Sequence, residues 1–341
     1  MQVRELGTSA ECALWDAFVL AQPGGTFFHL AGWREVIAEA FSHRTFFLYT
    51  MENGQITGVL PLAQVRSLLF GHKLVSLPFC VYGGVVASNQ AASDALVAEA
   101  GRRARELGVD YLELRNQQAR TGLPTVARYV TFRRQLDPDL DKNLQAIPRK
   151  QRAMIRKGAA KGLEPRFGAD VPEFFRIYAE SLRNLGTPVL PLRFFLAVQR
   201  VFGSRCEVMT VGVPGAAASA AVMSFYFRDE VLPYYGGGTA LAREHHAYDF
   251  MYWELLANAL SRGCKVFDFG RSRQGTGSYR FKTHWGFEPE PLHYQYDLVG
   301  QRELPNVTPD NPKYAAMINL WRRLPLGVTT ALGPLLARDL G

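Results

Sequence analysis

Residues 267–291 read FDFGRSRQGTGSYRFKTHWGFEPEP, and the reading of the 341-residue chain turns on them. Val266 to Phe269 has the texture of a short buried strand that Gly270 ends. Gly275 and Gly277 then mark a loop, and Ser278 is placed to cap a short helix running to Trp285. A strand, a glycine loop and a helix start bring backbone N–H groups up to an anion, and Arg271, Arg273, Arg280 and Lys282 add positive charge there. Such a place suits a phosphate or a developing oxyanion. Lys282 lies between Phe281 and Trp285, surroundings that dehydrate an ammonium, and a lysine so held can donate to an acyl oxygen as negative charge builds. The plainer alternative makes the arginines solvated loop charges and Asp268 the cap of its own turn.

Upstream, the elements follow one another as in a mixed α/β unit. Helices are predicted over Val171–Leu185, Leu192–Phe202 and Asp249–Arg262, and strands over CEVMTVGV (206–213), AAVMSFYF (220–227), VLPYYGG (231–237) and KVFDFG (265–270). The first part of the chain has the same grammar. Short helices cover Leu14–Leu20 and Trp33–Phe41, strands FFLYTM (46–51) and GVLPLAQV (58–65) flank an Asn53-Gly54 hairpin, and KLVSL (73–77) and YGGVVA (82–87) follow. A helix over Ala92–Leu107, stopped by Gly108, leads into the strand VDYLELR (109–115). The two halves repeat an order of elements, without residue-level similarity.

Between them, residues 149–162 carry six basic side chains and no acid. Pro148 is placed to start a helix there, which reads as a basic connector over 141–162 with Arg149, Lys150, Arg152 and Arg156 as candidate phosphate ligands; a solvated helix face is the bland alternative. The division predicted is therefore 1–140, 141–162, 163–300 and a tail over 301–341. In that tail GQRELPNVTPDNPKY reads as loop, and the apolar run that follows it is docked on the core or lies at a membrane interface.

Lys+Arg 39 against Asp+Glu 31 gives a net charge of +8, which favours partners bearing phosphate, carboxylate or an anionic surface. The opening residues lack a signal-peptide core and no stretch reaches membrane-spanning length, so the chain reads as cytoplasmic. Cys12, Cys80, Cys206 and Cys264 are far apart, which excludes a C-x-x-C metal or redox pair. His245 and His246 lack a third ligand at useful spacing, so no metal is expected. Neither a Ser/His/Asp nor a Cys/His constellation is readable, which argues against a covalent enzyme intermediate.

The order FDFG, glycine loop, F-K-x-x-W-G at 267–286 resembles the C-terminal signature of the Fem-type (FemAB) acyl- and aminoacyltransferases, and Lys282 matches the lysine that family places at its active site. YYGGG (234–238), DFMYWELL (249–256) and RKQRAMIRKGAAKG (149–162) are similar to further family segments in the same order. NLGTPVLPLRFF (184–195) resembles the branch encoded beside exosortase (PEP-CTERM) and exopolysaccharide genes. The resemblance implies an α/β fold of two tandem GNAT-like domains, each a mixed, mostly antiparallel sheet flanked by helices. It also implies direct transfer of an acyl or aminoacyl group onto a cell-envelope precursor of exopolysaccharide or peptidoglycan type. No tightly bound cofactor is implied; the co-substrate is an activated acyl donor, aminoacyl-tRNA or acyl-CoA. The partners expected are a phosphate-bearing envelope precursor, with tRNA and a peripheral contact with the inner membrane as further candidates, and no DNA.

On this reading Lys282 is the electrostatic stabiliser, and Asp268 or Asp249 could accept a proton. Arg271, Arg273, Gly275, Gly277, Tyr279, Arg280, Tyr235, Asp249 and Trp253 are the candidate substrate-binding residues. Two rivals remain. An acyl-CoA-dependent GNAT N-acyltransferase shares the fold, but GGGTALAREHHAYDF (236–250) lacks the R/Q-x-x-G-x-G/A spacing that cradles pyrophosphate, although Gly236–Gly238 could still approach a phosphate. A non-catalytic basic scaffold binding nucleic acid or phosphate rests on the charge alone, with no RNA-binding aromatic signature behind it.

Overall fold

The computed structural model describes residues 2–67, 70–119, 122–301, 303–304 and 312–340. In chain order the first elements are β1 (Val3–Glu5), α1 (Ser9–Ala21), α2 (Trp33–Phe41), β2 (Thr45–Glu52), β3 (Gln55–Ser67), β4 (Gly71–Val75), β5 (Val86–Ala87), α3 (Gln90–Glu106), β6 (Tyr111–Asn116) and β7 (Thr125–Val126). There follow β8 (Tyr129–Gln135), α4 (Leu140–Ala146), α5 (Arg149–Ala160), β9 (Glu164–Phe167), α6 (Val171–Leu185), α7 (Leu192–Phe202), β10 (Cys206–Gly212), β11 (Ala220–Phe227) and β12 (Glu230–Gly238). The chain continues through α8 (Leu241–Glu244), α9 (Ala247–Ser261), β13 (Val266–Asp268), β14 (Ser272–Arg273), α10 (Gly277–His284), β15 (Pro289–Pro291), β16 (His293–Leu298), α11 (Pro312–Arg323) and α12 (Leu326–Ala337).

Local chemistry sets many of these limits. Thr8 and Glu11 form a reciprocal capping box at the start of α1. Asn53 and Gly54 take φ of 49° and 78°, the left-handed pair that joins β2 to β3 in a tight hairpin. Asp170 accepts the Glu173 N–H at 2.7 Å to open α6, and Gly186 closes it. The YGGVVA strand is shorter than its sequence suggests, with only Val86 and Ala87 paired, because Gly84 N–H is bonded to Arg115 O and Val85 N–H to the Asn116 side chain.

Two compact units result. In the first the strand order is β1-β2-β3-β4-β6-β16-β7, with β5 on β3, and only β4 and β6 run parallel. Phe46, Leu60, Leu74, Leu96 and Leu112 are among its core residues. A buried ion pair braces it: Arg115 Nε donates to Glu113 Oε1 at 2.7 Å, and Arg115 Nη1 donates to the carbonyls of Cys80 at 2.7 Å and Leu77 at 3.2 Å. Those carbonyls belong to a loop in which Leu77 and Phe79 are forced to φ of 55° and 67°.

In the second unit the order is β14-β8-β13-β12-β11-β10-β9, and β12 and β13 run parallel. Phe132, Val222, Val231, Phe267, Met251 and Trp285 are part of its core. The glycines of YYGGG serve this packing: a Cβ on Gly236 would lie 2.8 Å from the Tyr252 hydroxyl, one on Gly237 2.8 Å from Ser181 Cβ, and one on Gly238 2.5 Å from Ala242 Cβ. Gly237→Ala is accordingly expected to cost about 1–3 kcal/mol by pushing α6 off β12, measurable as a lower urea midpoint at unchanged m-value.

The unit boundaries differ from those read from sequence. Residues 1–129, 291–311 and 335–341 form the first unit, and 130–290 with 312–334 the second. Residues 141–162 are thus not a link but part of the second unit. The charge run of α5 hides an inner face of Gln151, Ile155 and Gly158, and Gly158 sits against α9, where a Cβ would meet Phe250 Cβ at 2.8 Å. β8 and β16 each join the sheet of the other sequence half, a membership that periodicity does not encode. The tail is likewise divided: Ile318 of α11 covers Gly186 at the end of α6, whereas the Arg338 carbonyl lies 2.8 Å from His43 Nε2 in the first unit. Of the predicted loop over 300–314, residues 302 and 305–311 fall outside the described residues, and 312–314 begin α11.

Candidate active site

β12 and β13 run side by side for two residue pairs only, Glu230 with Val266 and Val231 with Phe267. β12 then continues to Gly238 while β13 stops at Asp268, so the strands part. Gly270, at φ 65°, turns the chain at this parting, under the ring of Tyr234. Thr276, not Ser278, caps α10: its Oγ1 takes the Tyr279 N–H at 3.4 Å and donates to the Arg273 carbonyl at 2.7 Å. The loop reaches back far enough that the cap falls two residues earlier than the serine.

Lys282 is buried, 8% exposed, on the inner side of α10. Its Nζ donates to the carbonyls of Gly270 at 2.9 Å and Arg271 at 3.1 Å, and stands 5.5 Å from the centre of the Phe132 ring. An ammonium has three protons to donate, and among the described residues the third has no acceptor. Burial pushes the Lys282 pKa down from its ordinary 10.5 to about 7, against the pull of the Asp268 carboxylate and with help from the Arg271 guanidinium.

Asp268 is 1% exposed and anchors the same turn: its Oδ1 accepts the Gly270 N–H at 2.7 Å and the Thr131 hydroxyl at 3.2 Å, and Arg133 Nε lies 3.8 Å from Oδ2. Arg133 also pairs with Glu230. Thr131 and Arg133 were not expected at the site. They arrive on β8, and nothing in the local sequence of that strand announces a partner more than a hundred residues on.

The folded Lys282 pKa lies below its unfolded one, so between pH about 7 and 10.5 this side chain holds more protons in the unfolded chain and its own contribution to stability rises with pH. Lys73, pushed down to about 8 by burial, adds to the same slope from about pH 8 upward. Unfolding free energies measured in urea from pH 7 to about 8.5 are expected to climb, before the Cys206 thiol, pushed up to about 12 by burial, and the buried tyrosines reverse the slope at higher pH, and Lys282→Met to flatten that climb without abolishing it. A slope identical in the variant would show that Lys282 is not desolvated.

The remaining predicted residues divide into groups. Arg271, Gly275, Gly277 and Arg280 are exposed on the loop and the outer side of α10, with Arg280 Nη1 holding the Gly275 carbonyl at 2.8 Å. Arg273 and Tyr279 are half-buried, Tyr279 edge-on to Phe132 at 5.4 Å. Tyr235 is buried among Tyr178, Phe194 and Phe195, a core position. Asp249 accepts the Trp285 indole N–H at 2.9 Å, and burial raises its pKa.

Trp253 belongs elsewhere, to a cleft of about 560 Å³ between α4, α5 and α9 that it lines together with Arg152 and Arg156. Arg149 and Lys150 are exposed at the start of α5 and do not line it. Among the described residues no group of His, Cys, Asp and Glu could hold a metal, and no helix is long and apolar enough to cross a membrane.

Residues 149–283 match the acetyltransferase (GNAT) domain family. Among solved structures, FemX aligns at a TM-score of 0.68 and 14% identity, covering 93% of this chain and 100% of that one. The C-terminal domain of a putative lysylphosphatidylglycerol synthetase from Agrobacterium fabrum aligns at 0.57 and 14% identity, over 85% of this chain and 92% of that one. A tandem GNAT protein from the clavulanic acid biosynthesis pathway aligns at 0.58 and 12% identity, over 89% and 99%. No curated protein matches the sequence. Two mixed sheets flanked by helices, the second under the acetyltransferase-domain match, make this a tandem GNAT-like fold. Domain match and fold together support a transferase of the GNAT type.

Proposed function

We propose that the second unit moves an acyl or aminoacyl group directly from an activated donor to an amine or hydroxyl of a phosphate-bearing cell-envelope precursor. The observation that carries this reading is the buried ammonium of Lys282, fixed by two loop carbonyls with one proton left over at the parting of β12 and β13. The new bond joins the acceptor nitrogen or oxygen to the carbonyl carbon, and the donor ester or thioester bond breaks. The acceptor's proton leaves with the donor's alcohol or thiol. Lys282 donates to the carbonyl oxygen while it carries negative charge, a contribution realised in the transition state. Asp268 acts here as a positioning residue, since its oxygens are engaged by the turn they hold.

The resemblance of 267–286 to Fem-type enzymes supports aminoacyl-tRNA as donor, whereas the acetyltransferase-domain match supports acyl-CoA. Two features favour the first. Gly236–Gly238 lie inside β12 with their α-carbons covered, and Asp249 stands in the first turn of α9, where a carboxylate opposes a pyrophosphate. The resemblance of 184–195 to the exosortase-associated branch supports an exopolysaccharide acceptor handled in the cytoplasm at the inner membrane. Titration calorimetry with acetyl-CoA is expected to give no saturable heat, while aminoacyl-tRNA should be discharged only when envelope precursor is added. Micromolar acetyl-CoA binding with turnover would replace the donor; no turnover of either donor with any precursor would remove the transferase reading.

A further inference from the structure

The cleft between α4, α5 and α9 is separate from the Lys282 site. On α9, Asp249 and Tyr252 face α10, through the Trp285 indole and the Phe281 ring, whereas Phe250, Trp253 and Glu254 face the cleft. At about 560 Å³ it is within the range of small-ligand pockets. Its walls are apolar: Leu144 and Ile155 on one side, Phe250 and Trp253 on the other. Arg152 and Arg156 also line it, and neither has a carboxylate partner; Arg152 Nη1 donates to the Gln145 carbonyl at 2.9 Å and Arg156 Nε to the Arg152 carbonyl at 3.4 Å. Each guanidinium keeps donors to spare. Glu254 adds a carboxylate with no hydrogen bond or ion pair among the described residues, which a single phosphate tolerates better than a diphosphate.

We infer that this cleft binds the alkyl or prenyl chain of a lipid monophosphate, with the phosphate on Arg152 and Arg156 and the chain against Leu144, Ile155, Phe250 and Trp253. The occupant follows from charge and surface together: two guanidiniums without a carboxylate partner call for an anion, and an apolar wall calls for a hydrocarbon. A nucleotide would leave Leu144 and Ile155 against a polar sugar and set its diphosphate beside Glu254. The inference concerns binding alone and stands whether or not the second unit transfers acyl groups.

The test is titration of the full chain with octyl, decyl and dodecyl phosphate below their micellar concentrations, alongside inorganic phosphate and uridine diphosphate. Affinity is expected to rise with chain length, by up to about fourfold per buried methylene until the cleft is full. Inorganic phosphate alone should show no saturation. Arg152→Gln/Arg156→Gln should weaken dodecyl phosphate at least tenfold. Ala159→Trp, on the same cleft and outward on α5, should abolish binding while circular dichroism and the unfolding midpoint stay at parental values. Affinity indifferent to chain length, binding untouched by Ala159→Trp, or uridine diphosphate displaced by that substitution in place of the alkyl phosphate would each overturn the inference.

Discussion

Lys282→Met is expected to lower the rate constant for acyl transfer by about 100- to 1000-fold, the range found when one donor to a developing oxyanion is removed. The methionine keeps most of the volume, so the packing of α10 beside β14 survives. What is lost is a proton at the carbonyl oxygen and the tether to Gly270 and Arg271. The lost hydrogen bonds are partly offset by relief from burying an ammonium, and the thermal midpoint at pH 7 should move little. KM should change less than kcat, because the interaction belongs to the transition state. The parent's rate should also fall as pH rises through about 7, where Lys282 loses its proton, and this limb should be missing from any residual activity of the variant. Transfer at the parental rate by a folded Lys282→Met protein would mean that the lysine only braces the loop.

The second large effect concerns stability. Arg115→Met should destabilise the protein by about 3–5 kcal/mol, the usual consequence of removing one member of a buried ion pair. Two things go wrong at once. The buried Glu113 carboxylate loses the guanidinium hydrogen-bonded to it, and the carbonyls of Leu77 and Cys80 lose the group that holds a loop with two left-handed non-glycine residues. Adding Glu113→Gln to Arg115→Met should recover part of the loss, because the buried negative charge that Arg115 had offset is then gone. Urea unfolding measures both; a single-variant loss below about 1 kcal/mol would mean that water or a rearranged loop replaces the guanidinium.

How much of this was legible beforehand depended on whether the cause was local. The limits of α6, α7 and β11 follow from residues inside or next to them, such as Asp170 at one end and Gly186 at the other, and they agree with the sequence reading. The strand, glycine loop and short helix around Lys282 were also readable, since glycines and caps act within a few residues. Thr276 displaced Ser278 as the cap because the loop folds onto Arg273, a contact that caps cannot reveal in advance. What stayed hidden was non-local. Thr131 and Arg133 reach Asp268 from β8, Trp253 meets Arg152 and Arg156 across a cleft, and the inner face of α5 was masked by the charges around it. Tyr235 looked like a ligand-facing aromatic in YYGGG but packs among Tyr178, Phe194 and Phe195, because alternation along a strand does not say which face meets a helix.

β16 lies between β6 and β7, yet it is made after the whole run from β8 to β15. On the ribosome, the first sheet therefore waits with the backbone edge of β6 open until residue 298 has emerged, while the second sheet already has its strands. An open edge of that kind is where a nascent chain recruits the wrong partner, so a truncation before His293 should aggregate rather than yield a smaller folded piece.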